Sequence, residues 1–352
     1  MWSSHRWLLL LAAAAVTLAG GASRAMEMQP PVPTTVTARL TADSDAPLSS
    51  ARLAQTSISW VGGATTASTG ESVTVYVSAA LPADLGTPQT WADFLAGLVH
   101  GPELAALTAY IAAFDEMQEV CGSRALGCYG ANHMVSMGET RFGVTAAEVV
   151  RHEYGHHIAF HRTNLPWLAI DWGPKNWSSA VDVCKRAAAR TAYPGDEGDH
   201  YSLNPGEAWA ETYRLLDERN AGAVGSGWQI IDSSFYPSET ALQSAERDVR
   251  QPWTAGQRQV LRRTFKRGAA TWLVPLATPL DGILDVRVAL PRGGLHEVAL
   301  LSADRRTVLQ KGLWSSLTMK TLTRTLCGER SLFLRVTRKG ALGRVTVTAT
   351  TP

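Results

Sequence analysis

Two histidines four positions apart, His152 and His156, bracket a glutamate in the stretch His152-Glu153-x-x-His156. On a helix, residues at that separation share one face, so two imidazoles can grip a single metal ion. Glu153, next to the first histidine, then has its carboxylate beside the ion's open position, where a water would sit. Zinc takes nitrogen ligands readily, and water held by it near a carboxylate base becomes a nucleophile at neutral pH. A catalytic zinc with two histidines needs one more protein donor, usually a carboxylate. Downstream, Glu207-Ala208-Trp209-Ala210-Glu211 offers two. Glu207 fits the ligand role, and Glu211, one turn later, could hold a ligand histidine by its far nitrogen. The rival assignment makes Glu211 the ligand and leaves Glu207 as a capping glutamate; the spacing keeps both open. Asp199 and His200, in an acidic loop ahead of Glu207, are remoter candidates for the third donor.

These side chains need helices to carry them. Thr145 and Glu148 form a capping box that starts one, and Val149, Val150, Ile158 and Phe160 give it apolar faces. Gly155 inside it costs about 1 kcal/mol against alanine, so the position calls for close approach by another element. Asn204 is a good N-cap and Pro205 a good first residue for a second helix running to about Arg219. Glu207, Glu211 and Arg214 then share a face. Tyr201 lies shortly before Glu207, and its phenol could donate to the oxyanion formed when water attacks a carbonyl; Tyr213 is the substitute. His157 and His161 point away from the His152–His156 pair. The plain alternative is a buried amphipathic helix whose histidines are merely hydrogen-bonded.

The two motifs, in this order, resemble those of gluzincin metallopeptidases, thermolysin-like and lethal-factor-like in the local pattern. The Glu207-Ala208-Trp209-Ala210-Glu211 form is similar to compact, minimal members of that clan. The resemblance implies that Glu207 binds zinc, Glu211 supports a histidine, Glu153 is the general base, and a tyrosine near Tyr201 assists. A metzincin would carry a glycine and a third histidine where this chain has Ala159 and Arg162, and no methionine lies between Met137 and Met319 for a Met-turn. The aspzincin pattern is also missing. Arg151 and His157 depart from the mostly uncharged flanks of the motif. Residues 134–137 read as a strand ahead of the first helix and resemble the edge strand on which gluzincins dock extended substrate.

The chain has 352 residues, a formal net charge of +2 and 18% charged residues, which argues against nucleic-acid binding as its main task. Arg6, an apolar run over 7–18 and small residues up to Ala25 read as a signal peptide, residues 1–25, too short to span a membrane confidently. A secreted or periplasmic protein follows, with no membrane attachment after cleavage. Residues 26–55, rich in Pro, Thr, Ser and Ala, read as a linker or short pro-segment. In an exported chain, Cys121 and Cys128 read as a disulfide, and Cys184 and Cys327 are left as a second pair that would tie the catalytic region to the C-terminal part. Strands are expected at 58–61 and 72–77, helices at 90–98, 102–120, 238–249 and 256–267. Trp167, Trp172 and Trp177 either wall a cleft or pack, while Asp171 has no assigned task. From about residue 275 the period turns alternating, at 284–290, 298–301, 307–309, 332–336 and 345–348, which suggests a small β-sandwich. That region resembles bacterial pre-peptidase C-terminal domains, which implies a part in secretion or cell-surface binding.

The expectation is therefore an α+β protein: a zincin-like domain over 56–270, with a small sheet, an active-site helix and a helical lower part, then an all-β sandwich over 271–352. His152, His156 and Glu207 would hold Zn2+, and the substrate would be a peptide or protein. An exported adhesion module with a structural zinc, and a metallohydrolase acting on a non-peptide bond, are the competing readings.

Overall fold

The computed structural model describes Leu48, Leu53 and residues 56–228 and 230–352. The expected signal peptide over 1–25, and all of 26–55 except the buried Leu48 and Leu53, lie outside them. The described chain is a mixture of helices and sheets with a β-rich C-terminal region.

Five strands build the first sheet: β1 (Trp60–Thr66), β2 (Ser72–Ser78), β3 (Thr108–Ala112), β4 (Gly127–Gly130) and β5 (His133–Met137), in the order β1-β2-β3-β5-β4. β2, β3 and β5 run parallel; β1 and β4 are antiparallel at the two ends. Val73, Val75 and Val77 alternate inward along β2, as a strand covered on that face requires. Helix α1 (Pro88–Ala96), capped by Thr87, packs on the β1–β2 hairpin. The β4–β5 turn puts Ala131 and Asn132 at positive φ, 46° and 70°, the two-residue hairpin geometry that asparagine tolerates.

Three expectations fail here. The stretch 102–120 is not one helix but a 3-10 turn (Pro102–Ala106), strand β3 and helix α2 (Phe114–Cys121). Tyr110, Ile111 and Ala112, inside the expected helix, are a buried strand flanked on both sides, and a continuous apolar run does not separate the two periods. The strand expected at 134–137 is also not an edge: β5 lies between β3 and β4, so its backbone is already paired. The edge is β4, which the Cys121–Cys128 disulfide ties to the end of α2. β1 runs to Thr66, beyond the expected end at 61.

Helix α3 (Ala146–Phe160) starts with both hydrogen bonds of its capping box: Glu148 N donates to Thr145 Oγ1 (3.2 Å), and Thr145 N donates to Glu148 Oε2 (2.8 Å). A ribbon of β6 (Thr163–Asn164) and β7 (Trp167–Leu168) leads to short helices α4 (Ala169–Trp172), α5 (Lys175–Ala180) and α6 (Val183–Ala188). Helix α7 (Pro205–Ala221) begins at Asn204, whose side chain accepts from Gly206 N, and ends at Gly222 with φ 64°. Where α3 crosses α7, a Cβ on Gly155 would lie 2.7 Å from Ala210 Cα. That is the close approach that justifies a glycine inside a helix. Trp209 Nε1 donates to Gly155 O at 2.8 Å and pins the crossing. Helix α8 (Glu239–Arg250), capped by Ser238, completes the lower part.

The C-terminal region stacks two four-stranded sheets. Its strands are β8 (Gln257–Phe265), β9 (Thr271–Ala277), β10 (Gly282–Ala289), β11 (Leu295–Leu301), β12 (Val308–Lys311), β13 (Met319–Leu326), β14 (Ser331–Lys339) and β15 (Gly343–Thr351). They are ordered β13-β10-β15-β8 and β12-β11-β14-β9, around a core that includes Val286, Val298, Leu334 and Val347. The helix expected at 256–267 is strand β8. Among the described residues it pairs only with β15, and its arginines face solvent, the charged dressing that keeps an edge strand from recruiting another chain. The Cys184–Cys327 disulfide joins α6 to this region, and beside it Asp281 N donates to Ser179 Oγ at 3.0 Å. Among the described residues, no helix is long and apolar enough to cross a membrane.

Candidate metal centre

His152 and His156 lie on one face of α3 with ring centroids 5.0 Å apart, and the first turn of α7 brings Glu207 against them. His152 Nε2 is 3.2 Å from Glu207 Oε2, and His156 Nε2 is 3.3 Å from Glu207 Oε1. All three residues are buried and offer ligand atoms within 4.8 Å of one another. The His156 Nε2 contact lacks hydrogen-bond geometry, although the atom is buried. Buried polar atoms normally find partners, so His156 Nε2, left without a hydrogen bond among the described residues beside the Glu207 carboxylate, fits a shared cation. A divalent metal ion fits these residues.

Glu211, one turn along α7, faces His152 from behind, with Oε2 3.3 Å from Nδ1. Nδ1 donating there leaves the Nε2 lone pair toward Glu207, the arrangement that orients a ligand histidine. Arg214 grips Glu211 with both prongs of its guanidinium, Nε to Oε2 at 3.0 Å and Nη2 to Oε1 at 2.6 Å. Its Nη1 donates to Glu218 at 2.7 Å and lies 3.7 Å from Glu148 of the capping box. Burial alone would push the Glu211 carboxyl up, but Arg214 and His152 outweigh it and hold the group well below the usual range. One buried cation thus ties the start of α3 to the support of His152.

Glu153 is buried on the next position of α3, and neither carboxylate oxygen has a hydrogen-bond partner among the described residues. Burial pushes its carboxyl well above the ordinary value, while His152 opposes this. Gly127 of edge strand β4 makes the room: a Cβ there would lie 2.8 Å from Glu153 Oε1 and 2.7 Å from Val149 Cγ1. No sequence pattern flagged Gly127, because the contact joins strand to helix. Tyr201 donates to Glu207 Oε2 at 2.6 Å, so the phenol sits at the centre of the group. Its substitute, Tyr213, donates instead to Val99 O, away from the site. His200 pairs with Asp196, and neither His200 nor Asp199 joins the three-residue group.

His157, outside the pair, is fully buried. Its Nε2 donates to Glu103 O at 2.8 Å, which leaves Nδ1 to accept from the Tyr129 hydroxyl at 3.0 Å. The residue after the second histidine therefore fixes the side chain of edge strand β4 that borders the cleft. Burial pushes the His157 pKa down from 6.5 to about 4. A folded-state value below the unfolded one contributes stability that is full above pH 6.5 and is lost as pH falls toward about 4. Denaturant titrations of metal-free protein should lose up to about 1.4 kcal/mol per pH unit more in wild type than in His157→Gln across that window. Equal pH slopes for the two proteins would contradict this.

Trp167 and Trp172 stack on each other at 4.7 Å, and Trp177 packs edge-on against Trp209; none of the three borders the cleft. Asp171 and Glu197, given no task by the sequence, both do.

No family model matches the chain, and no curated protein matches it. Three solved structures are similar in part. A pre-peptidase C-terminal domain of collagenase from Bacillus anthracis is 13% identical over 27% of this chain and 90% of its own, with a TM-score of 0.23. A protein of the disulfide-linked pili of Bacillus endospore appendages is 9% identical over 28% of this chain and 93% of its own, with a TM-score of 0.15. The IMPa metallopeptidase, in complex with T-antigen, is 12% identical over 69% of this chain and 37% of its own, with a TM-score of 0.19. At these TM-scores the likenesses carry no functional argument, and the function is read from the site's own chemistry.

Proposed function

We propose that the protein is an exported zinc-dependent metallopeptidase of the gluzincin type, with a zincin-like domain that hydrolyses peptide bonds. The observation that supports this is the convergence of His152, His156 and Glu207 within 4.8 Å, beside a buried carboxylate, Glu153, that has no hydrogen-bond partner among the described residues. A purely structural site has no use for such a base. His152, His156 and Glu207 would hold the ion, which when bound polarises a carbonyl and acidifies water. Glu153 takes the proton of the attacking water and returns it to the leaving amine. Tyr201, already directed into the site, donates to the developing oxyanion. β4, paired only with β5 among the described residues, offers its other edge to an extended peptide.

A mixture of blocked peptides, incubated with zinc-loaded protein with and without chelator, tests the reading. Cleavage should vanish with chelator and return with added zinc. Cleavage indifferent to chelator would refute the metal mechanism. No cleavage by folded, zinc-loaded protein would favour a binding module or a hydrolase of another bond.

A further inference from the structure

The outer face of one C-terminal sheet carries a charge pattern that the metal chemistry does not use. Along β10 and β15, Val286, Val288, Val345 and Val347 point into the core, so the residues between them point to solvent. The strand register lays these outward residues in rows. Arg258 of β8 pairs with Thr350, which pairs in turn with Asp285. In the next row, Arg287 lies between Thr348 and Thr321. Arg262 pairs with Thr346 beyond it, and Arg344 with Thr264 beyond that. Arg258, Arg287 and the threonines Thr346, Thr348 and Thr350 line a cavity of about 530 Å³ on this face, among others.

The face is positive. Arg258, Arg262, Arg287 and Arg344 are exposed, and Asp285 is the one acid in these rows. Its carboxylate lies 3.3 Å from Arg287 Nε and accepts from the Thr323 hydroxyl at 3.4 Å. Among the described residues, Arg258, Arg262 and Arg344 have no ion pair, and the hydroxyls of Thr321, Thr346, Thr348 and Thr350 make no hydrogen bond. Rows on one face lie about 6.7 Å apart along a strand, and neighbouring strands about 4.8 Å apart. The four guanidinium groups are therefore spread over the face rather than gathered at one point. A single small anion needs a cluster, whereas a polymer with charge repeated along its length matches this spread. None of the rows holds an aromatic side chain on which bases could stack, and a net charge of +2 for the whole chain is low for a nucleic-acid binder. Threonine hydroxyls both donate and accept, which suits a partner rich in hydroxyl groups.

We propose that this outer face docks an acidic polysaccharide of the polyuronate type; the proposal does not depend on the metal site. Arginine meets a carboxylate through two parallel N–H donors, a geometry that a sugar-borne carboxylate can satisfy as it lies along the sheet. The threonine rows between the arginines bond the sugar hydroxyls. Arg258 and Arg262, which guard the edge of β8, then also grip the glycan on the face.

The test is isothermal titration calorimetry of the purified full chain with polygalacturonate, neutral dextran, polyglutamate and double-stranded DNA, at low and high salt. Polygalacturonate should bind, more weakly as salt rises, and dextran should not. Replacing three arginines together (Arg258→Ala, Arg262→Ala and Arg287→Ala) should weaken that binding roughly 10- to 100-fold. Arg306→Ala, at an exposed arginine ahead of β12 in the other sheet, should leave it unchanged. Thr346→Val with Thr348→Val keeps the strand-forming shape and removes two hydroxyls; it should weaken polygalacturonate several-fold and leave any polyglutamate binding untouched. Near-UV circular dichroism confirms that each variant is folded. Absence of polygalacturonate binding, or equal binding by the folded triple variant, would overturn the proposal. Polyglutamate or DNA bound as tightly as polygalacturonate would overturn it as well, in favour of an acidic protein or a nucleic acid.

Discussion

Glu153→Gln should keep the metal ion and lose turnover. Glutamine has nearly the same shape, and the space beside Gly127 that admits the carboxylate admits the amide. It is not one of the three converging donors, so the affinity of His152, His156 and Glu207 for the ion should be unchanged. An amide, however, cannot accept the proton of an attacking water or carry it to a leaving amine. Loss of a positioned general base costs roughly 100- to 10,000-fold. Metal content and kcat/KM should be measured on one sample, so that an inactive variant is known to be loaded. A loaded Glu153→Gln that hydrolyses peptides as fast as wild type would remove Glu153 from the chemistry.

The second large effect separates the two carboxylates of α7. Glu207→Gln removes the anionic donor that faces both Nε2 atoms, at 3.2 and 3.3 Å. Metal affinity should fall steeply. Glu211→Gln leaves all three donors in place and weakens only the grip on His152 Nδ1, which should cost about 10- to 100-fold in affinity. Competition with a chromophoric chelator ranks the two. If Glu211→Gln proved the more damaging, the ligand role would pass to Glu211 and Glu207 would be a capping residue after all.

Much of this centre was legible in the chain because its residues lie on two helices whose local rules are strong. The capping box at Thr145 and Glu148, the Asn204–Pro205 start and the four-residue spacings place the side chains before any tertiary contact is known. Even the packing at Gly155 was foreshadowed by its poor helix propensity. What could not be read depends on pairing between distant segments. β5 has the composition of an edge or a centre strand equally, and only the position of β4 decides between them. The β3 stretch reads as helix because a buried strand and a buried helix face are both plainly apolar over a few residues. The β8 stretch reads as helix because its charged residues hide the alternation that burial would impose. Asp171 and Glu197 looked like ordinary polar residues until the fold set them on one side of the cleft. Four cysteines allow three pairings, and the short loop between Cys121 and Cys128 favours the one observed, whereas the contact of Cys184 with Cys327 depends on the fold.

The central claim is that one divalent ion sits between α3 and α7, held by His152, His156 and Glu207. X-ray absorption at the zinc edge on purified protein, with metal content from the same sample, reads both parts at once. One zinc per chain, with two imidazole nitrogens and a carboxylate oxygen in its shell, is the predicted result. Protein that is folded yet takes up no zinc after exposure to it, or zinc bound without imidazole ligands, would contradict the account.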